Sequence, residues 1–183
     1  MKTLVIVTHP NIEASNWNKS WLKELQKHGD ITIHELHKKY PDENIDVSAE
    51  QRLIEAHDRI IFQYPLYWYS TPPLLKKWFD SVLLYGWAYG PDGNKTEGKE
   101  VGVAISTYGT EESYQATGFN RYTLQEILRP MEALAHFISA KYLPHFSLND
   151  TSDVTNERLV QSSLDYVQHI KTVKPVKPVE VAQ

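Results

Sequence analysis

Apolar residues in this chain fall into short unbroken runs separated by amphipathic stretches, and the two kinds of segment alternate from end to end. Residues 4–7, Leu-Val-Ile-Val, form a continuous aliphatic run of the kind that builds a parallel strand covered on both faces. A polar, turn-rich segment follows, after which Trp17, Trp21, Leu22 and Leu25 recur at helical spacing. Residues 31–36 alternate apolar and polar, as in a strand nearer a sheet edge, until Tyr40-Pro41-Asp42-Glu43 breaks the pattern. Ser48 and Gln51 stand at capping-box spacing and predict a short helix over 48–56. A further strand covers 58–64, and a helix whose first turn holds Pro72 and Pro73 covers 71–84. Residues 101–106 form another buried strand. Residues 122–137 place Leu124, Ile127, Leu128, Met131, Leu134 and Ala135 on one helical face, bent at Pro130. A weak last strand over 141–146 is interrupted by Pro144, and Leu159, Val160, Leu164, Val167 and Ile170 mark a closing helix over 156–170.

Strict β/α alternation predicts a parallel sheet with right-handed crossovers and helices on both faces. Five such units match an α/β, flavodoxin-like, doubly wound arrangement with strand order 2-1-3-4-5, whose ligand lies over the carboxyl ends of strands 1, 3 and 4. Residues 1–172 are read as one domain. Residues 173–183, with Lys174-Pro175 and Lys177-Pro178, lack helical periodicity and read as an extended tail.

Composition narrows the chemistry. A net charge of -4 leaves no electrostatic footprint for nucleic acid. Cysteine is absent, which removes disulfides, zinc–thiolate sites and thiol nucleophiles. The opening apolar run is too brief for a signal peptide, and no window approaches the ~18 apolar residues of a membrane span, so a cytoplasmic protein without membrane insertion is expected. His34 and His37 do not share a face of a strand, so no metal site is expected there. No G-x-S-x-G elbow is present, and the Glu111-Glu112 pair reads as a solvated loop.

Three loops remain, and the topology makes them converge. The first carries His9, Ser15, Asn16 and Asn18 just ahead of a helix, a set of hydroxyl, amide and backbone donors suited to a single phosphate or pyrophosphate. Neither G-x-G-x-x-G nor G-x-x-x-x-G-K-[ST] occurs, and Ser15 can equally serve only as a helix cap. The second loop closes a stretch with five aromatic residues between Phe62 and Tyr69, where Tyr67, Trp68 and Tyr69 can wall a planar ring. The third, Ser106-Thr107-Tyr108-Gly109, offers small residues and free N–H groups for close approach to such a ring. Together they point to bound flavin mononucleotide (FMN).

At these residues the chain resembles the NAD(P)H:quinone oxidoreductase family of flavodoxin-like flavoproteins, relatives of DT-diaphorase. The likeness rests on Thr8-His9-Pro10 with Ser15 and Asn18, and on the Pro65–Pro72 block Pro-Leu-Tyr-Trp-Tyr-Ser-Thr-Pro running into Leu75-Lys76-Lys77-Trp78-Phe79-Asp80. It extends through Gly86-Trp87-Ala88-Tyr89-Gly90 and Ser106-Thr107-Tyr108-Gly109 to Tyr114 and Gly118. The resemblance implies homodimers that bind flavin, take hydride from NAD(P)H and reduce quinones by two electrons. It assigns the flavin phosphate to His9, Ser15 and Asn18, with backbone donors from Asn16 and Trp17. Pro65, Leu66, Tyr67, Trp68 and Tyr69 would line the ring, Ser106, Thr107, Tyr108 and Gly109 its other edge, and Tyr114 would stabilise the reduced flavin. Where DT-diaphorase has a histidine shortly after that tyrosine, this chain has Asn120, which donates a hydrogen bond but cannot change protonation state. The long C-terminal extension of FAD-binding mammalian members is missing, which favours FMN over FAD. Some members instead activate glutathione-gated potassium efflux systems, a regulatory role at a membrane transporter that is the alternative function.

Overall fold

The computed structural model describes residues 1–152 and 154–176. Strand β1 (Thr3–Val7) is buried at every position because both faces are covered, which is why its sequence is continuously apolar. It pairs in parallel with β2 (Ile31–Glu35) and β3 (Arg59–Pro65), and β3 pairs with β4 (Glu100–Ser106). Strands β5 (Lys141–Tyr142) and β6 (Phe146–Leu148) both pair with β4, so the expected last strand is divided in two on either side of Pro144. The order is β2-β1-β3-β4-β5, the flavodoxin-like arrangement, with helices on both faces.

Alternate strand residues feed opposite layers. Leu4, Ile6, Ile60 and Phe62 join a core with α3 (Val47–Glu55), α4 (Pro73–Val82) and α6 (Arg129–Phe137). Val5, Val7, Ile61 and Ala104 join a second core with α1 (Asn16–Leu25) and α7 (Asn156–Thr172), centred on Trp21 and Tyr166. Among the described residues no helix is long and apolar enough to cross a membrane.

Local details depart from the sequence expectations. The N-cap of helix α3 lies two residues earlier than expected: the Asp46 carboxylate, not the Ser48 hydroxyl, caps it, accepting the N–H of Ala49 at 2.9 Å. An ionised N-cap gains from the helix dipole as well as the hydrogen bond, and so wins over the capping-box spacing at Ser48. Asp46→Ala should lower stability by about 1 kcal/mol in urea denaturation and Ser48→Ala by a few tenths at most. The second strand ends at Glu35, and the buried Leu36 opens a single helical turn, α2 (Leu36–Lys39). The expected helix over 122–137 is two: α5 (Leu124–Ile127), with a complete Thr123–Glu126 capping box, and α6, because Pro130 cannot donate back to the preceding turn.

Beyond α7 the chain stays on the domain. Arg59, buried and paired with Glu100, also donates to the carbonyls of Ile170 and Val173, and Val176 N–H donates to Tyr142 O at 2.9 Å. The rest of the expected tail, residues 177–183, lies outside the described residues.

Candidate functional site

The carboxyl ends of β1, β3 and β4 surround an open cavity of about 440 Å³, within the size range of small-molecule sites. Its polar end is the β1–α1 loop. The Nδ1 of His9 accepts the Asn11 N–H at 3.2 Å, which leaves the neutral ring's proton on Nε2. Burial, and then the neighbouring His37, hold His9 below the usual histidine range, favouring that neutral form. Ser15 caps α1 by accepting the Asn18 N–H at 3.3 Å, so the capping role is real, yet Ser15 also lines the cavity. The first intrahelical bond runs from Lys19 N–H to Ser15 O, leaving the N–H groups of Asn16 and Trp17 without a hydrogen bond among the described residues. Trp17 lines the cavity; Asn16 does not.

Asn18 lies beneath this loop rather than in the cavity wall. It is fully buried, donates from Nδ2 to Ser15 Oγ (3.2 Å) and Ser106 Oγ (3.0 Å), and accepts from Gln63 Nε2 at 3.2 Å. One amide therefore ties the start of α1 to the ends of β3 and β4. Beside it, Thr8 Oγ1 and Gln63 Oε1 are buried without a partner among the described residues.

The aromatic stretch divides by direction. Phe62 and Tyr64 point into the core, while Pro65, Leu66, Tyr67, Trp68 and Tyr69 line the cavity. Leu66 N–H donates to Ser106 O at 2.9 Å, joining the turn to the end of β4. Tyr67 and Ser70 exchange two backbone hydrogen bonds (3.0 and 2.8 Å), closing a two-residue hairpin over Trp68 (φ 46°) and Tyr69 (φ 62°). Such turns favour Asn-Gly. Two bulky residues in left-handed conformations cost of order 1–3 kcal/mol each, the kind of strain that accompanies functional sites.

On the far side, Ser106, Thr107 and Tyr108 line the cavity. Gly109 is not in the lining: a Cβ there would stand 2.6 Å from Ser113 Oγ and 3.0 Å from the Tyr114 ring, so this glycine permits the approach of Tyr114 rather than of a ligand. Tyr114 is buried and lines the cavity. Burial pushes its phenol up, against a smaller opposing effect from Thr107, so it is a neutral hydrogen-bond donor at physiological pH. Asn120 sits outside the lining and accepts the Tyr69 hydroxyl at 3.0 Å. Sequence reasoning passed over Gln63 and Thr151. Thr151 lines the cavity and donates to Thr107 O at 3.0 Å from a loop 44 residues away, and no local pattern marks it.

The donor set thus offers anion-binding N–H, hydroxyl and imidazole groups at one end and flat aromatic walls at the other. A molecule with a phosphate and a planar ring fits this chemistry; among the described residues no group of three His, Asp or Glu side chains that could hold a metal ion is assembled.

Known proteins agree with the fold. A family model described as a flavodoxin-like fold matches residues 1–170. An NAD(P)H oxidoreductase of Bacillus subtilis is 48% identical over 173 residues, 94% of this chain and 88% of that protein. The general stress protein 14 of Treponema denticola, solved in complex with FMN, superposes with a TM-score of 0.90 at 41% identity, covering 93% of this chain and 98% of that one. An NADPH-quinone reductase from P. pentosaceus gives 0.85 at 33% identity, covering 94% and 98%. An ancillary protein of a glutathione-regulated potassium-efflux system from Cronobacter sakazakii is 46% identical over 134 residues, 73% of each chain. With nearly its full length matched by the family model and by relatives approaching half identity, the chain belongs to the flavodoxin-like family, among its NAD(P)H oxidoreductases.

Proposed function

We propose that this protein is an FMN-dependent NAD(P)H:quinone oxidoreductase that passes a hydride equivalent from the nicotinamide to quinones or related electrophiles. The observation that carries this reading is one cavity that brings the amino terminus of α1 together with Tyr67, Trp68 and Tyr69 at the switch point of the sheet. The relative solved with FMN and the quinone reductase with the same fold support it. Bound FMN would supply the two-electron chemistry that no side chain here can perform.

The protein's own groups would do the rest. His9 Nε2–H, the Ser15 hydroxyl and the Trp17 N–H would hold the phosphate at the positive end of α1, with the Asn16 N–H just outside the cavity lining as a further donor. Asn18 fixes Ser15 and Ser106 from below. Pro65, Leu66 and Tyr67 would border one edge of the ring and Ser106, Thr107 and Tyr108 the other. The neutral Tyr114 phenol would donate a hydrogen bond to the bound group and favour its reduced form. The opening beside Trp68 and Tyr69 admits the nicotinamide and then, once it has left, the acceptor. FMN is favoured over FAD. Residues 1–172 would form the catalytic domain, followed by the tail at 173–183, in a cytoplasmic homodimer; the exposed Trp68 and Tyr108 at the cavity, and the exposed Phe119 and Tyr122, are suited to contact with a second subunit.

Purified protein should show the flavin visible spectrum and release FMN on heating. Colourless protein that cannot be reconstituted with FMN or FAD would end this reading. Tyr114→Phe should keep the chromophore and slow a half-reaction roughly 30-fold, the equivalent of about 2 kcal/mol; rates of flavin reduction and reoxidation both unchanged from those of the native protein would remove Tyr114 from the mechanism. A second reading, a regulatory subunit of a glutathione-gated potassium efflux transporter, draws on the likeness to the ancillary protein. Co-purification with such a transporter, together with negligible quinone turnover, would favour it.

A further inference from the structure

The mouth of the cavity is bridged by a chain of hydrogen bonds that neither the fold nor the phosphate end requires. On one side stands the hairpin tip, where Trp68 and Tyr69 hold left-handed conformations and Trp68 is 94% exposed. Packing therefore does little to hold the tip in place. Among the described residues its one side-chain hydrogen bond runs from the Tyr69 hydroxyl to Asn120 Oδ1 at 3.0 Å, across a sequence separation of 51 residues.

Asn120 is itself held on two sides. Its Nδ2 donates to Ser113 Oγ at 3.1 Å and its backbone N–H donates to Ser113 O at 2.9 Å, while Ser113 Oγ donates to Thr110 O at 2.7 Å. These contacts decide which end of the amide faces the tyrosine. Ser113 precedes Tyr114, so the same short segment carries the anchor of the hairpin and the phenol of the cavity wall. Asn120 is not in the cavity lining and cannot exchange a proton, so it does not act on a bound molecule directly. An amide suits an anchor: it accepts from one group and donates to another at any physiological pH, as a histidine or carboxylate would not.

We propose that Asn120 is a positioning residue that latches the aromatic hairpin to the loop after β4 and thereby sets the opening through which the second reactant approaches. The latch stands on the geometry alone; its effect on turnover rests on the flavin reading.

Three variants separate the two: Tyr69→Phe, which removes only the hydroxyl, Asn120→Ala, and the double variant. In cofactor-free protein, amide hydrogen exchange at Tyr67 and Ser70 should accelerate about fivefold in each single variant and no further in the double. In FMN-loaded protein, the KM for 1,4-benzoquinone should rise about three- to tenfold in each, with the kcat change below about twofold and the double again no worse than the singles. Unchanged exchange in the single variants, or effects that simply add in the double, would overturn the latch. Faster, non-additive exchange in a protein that binds no flavin would uphold the latch and reject the flavin reading. Unchanged exchange with intact quinone turnover would do the reverse.

Discussion

Replacing Asn18 with alanine is expected to remove about 3 kcal/mol of stability, a fall in melting temperature of roughly 10 °C, and to weaken FMN binding by about 100-fold or more. The two effects share a cause. Asn18 is fully buried, and its amide serves Ser15, Ser106 and Gln63 together. Truncation leaves those groups short of a partner where water cannot replace it, and each such loss costs about 1–3 kcal/mol. It also frees the Ser15 hydroxyl and the end of β4, the two edges that must hold still for phosphate and ring. Thermal melts of cofactor-free protein and a fluorescence titration with FMN measure the effects separately. A normal FMN affinity in a destabilised variant would mean that Asn18 serves the fold alone. Asn18→Asp keeps an acceptor for Gln63 but sets a carboxylate beside the proposed phosphate, so it should bind FMN more weakly than the alanine variant.

The largest expected loss of stability is at Glu50. This carboxylate is 1% exposed and accepts from His34 Nε2 at 2.8 Å, Tyr40 OH at 2.6 Å and Trp78 Nε1 at 2.8 Å. It joins β2, the segment after α2, and α4, the helix that begins just beyond the aromatic hairpin. Glu50→Ala strands two buried donors, Tyr40 and Trp78, and the half-buried His34, and should cost about 3–5 kcal/mol. The pH dependence follows from the balance at the carboxyl. Burial pushes it up, but the hydrogen bonds from His34 and Tyr40, the charge of His34 and the Trp78 indole together hold it below its ordinary value of 4.5. A group depressed in the folded state gives its full contribution above the unfolded value and loses it as pH falls through the folded one. The stability advantage of the native protein over Glu50→Gln should therefore be greatest near neutral pH and shrink below pH 4.5, as read by urea denaturation at several pH values. An advantage that does not change with pH would show that the carboxylate is not the stabilising form. Trp78 contacts Phe62 and Phe79 edge-on, so loosening this hub also disturbs the core beneath the hairpin.

The layered α/β plan was legible because it is written in local periodicity. Strands covered on both faces need unbroken aliphatic runs, the intervening helices need one apolar stripe, and their alternation leaves few topologies. From that order alone it followed that the loops at His9, Pro65 and Ser106 would meet at one crevice, since a doubly wound sheet brings those strand ends side by side. The types of group in those loops, hydroxyls and amides before a helix and aromatics after a strand, were also plain in the chain.

What each group does there was decided by contacts between distant segments. Asn18 and Ser106 are 88 residues apart, and only their proximity in space turns an expected phosphate ligand into the tether beneath the loop. Phe62 and Tyr64 read like Tyr67 and Trp68, yet the alternation of β3 sends the first two into the core and the hairpin sends the others to the cavity. Gly109 invited a ligand in the sequence and accommodates Tyr114 in the fold. In the sequence Asn120 stood near Tyr114 as a substituted histidine; in the fold it accepts the Tyr69 hydroxyl, the contact behind its proposed role as an anchor of the cavity mouth. Periodicity along a chain records which face of each element is buried, and so the sequence determined the layers, their order and the place of the site. The pairing of polar groups across loops depends on how the finished layers sit together, and that was decided by tertiary structure alone.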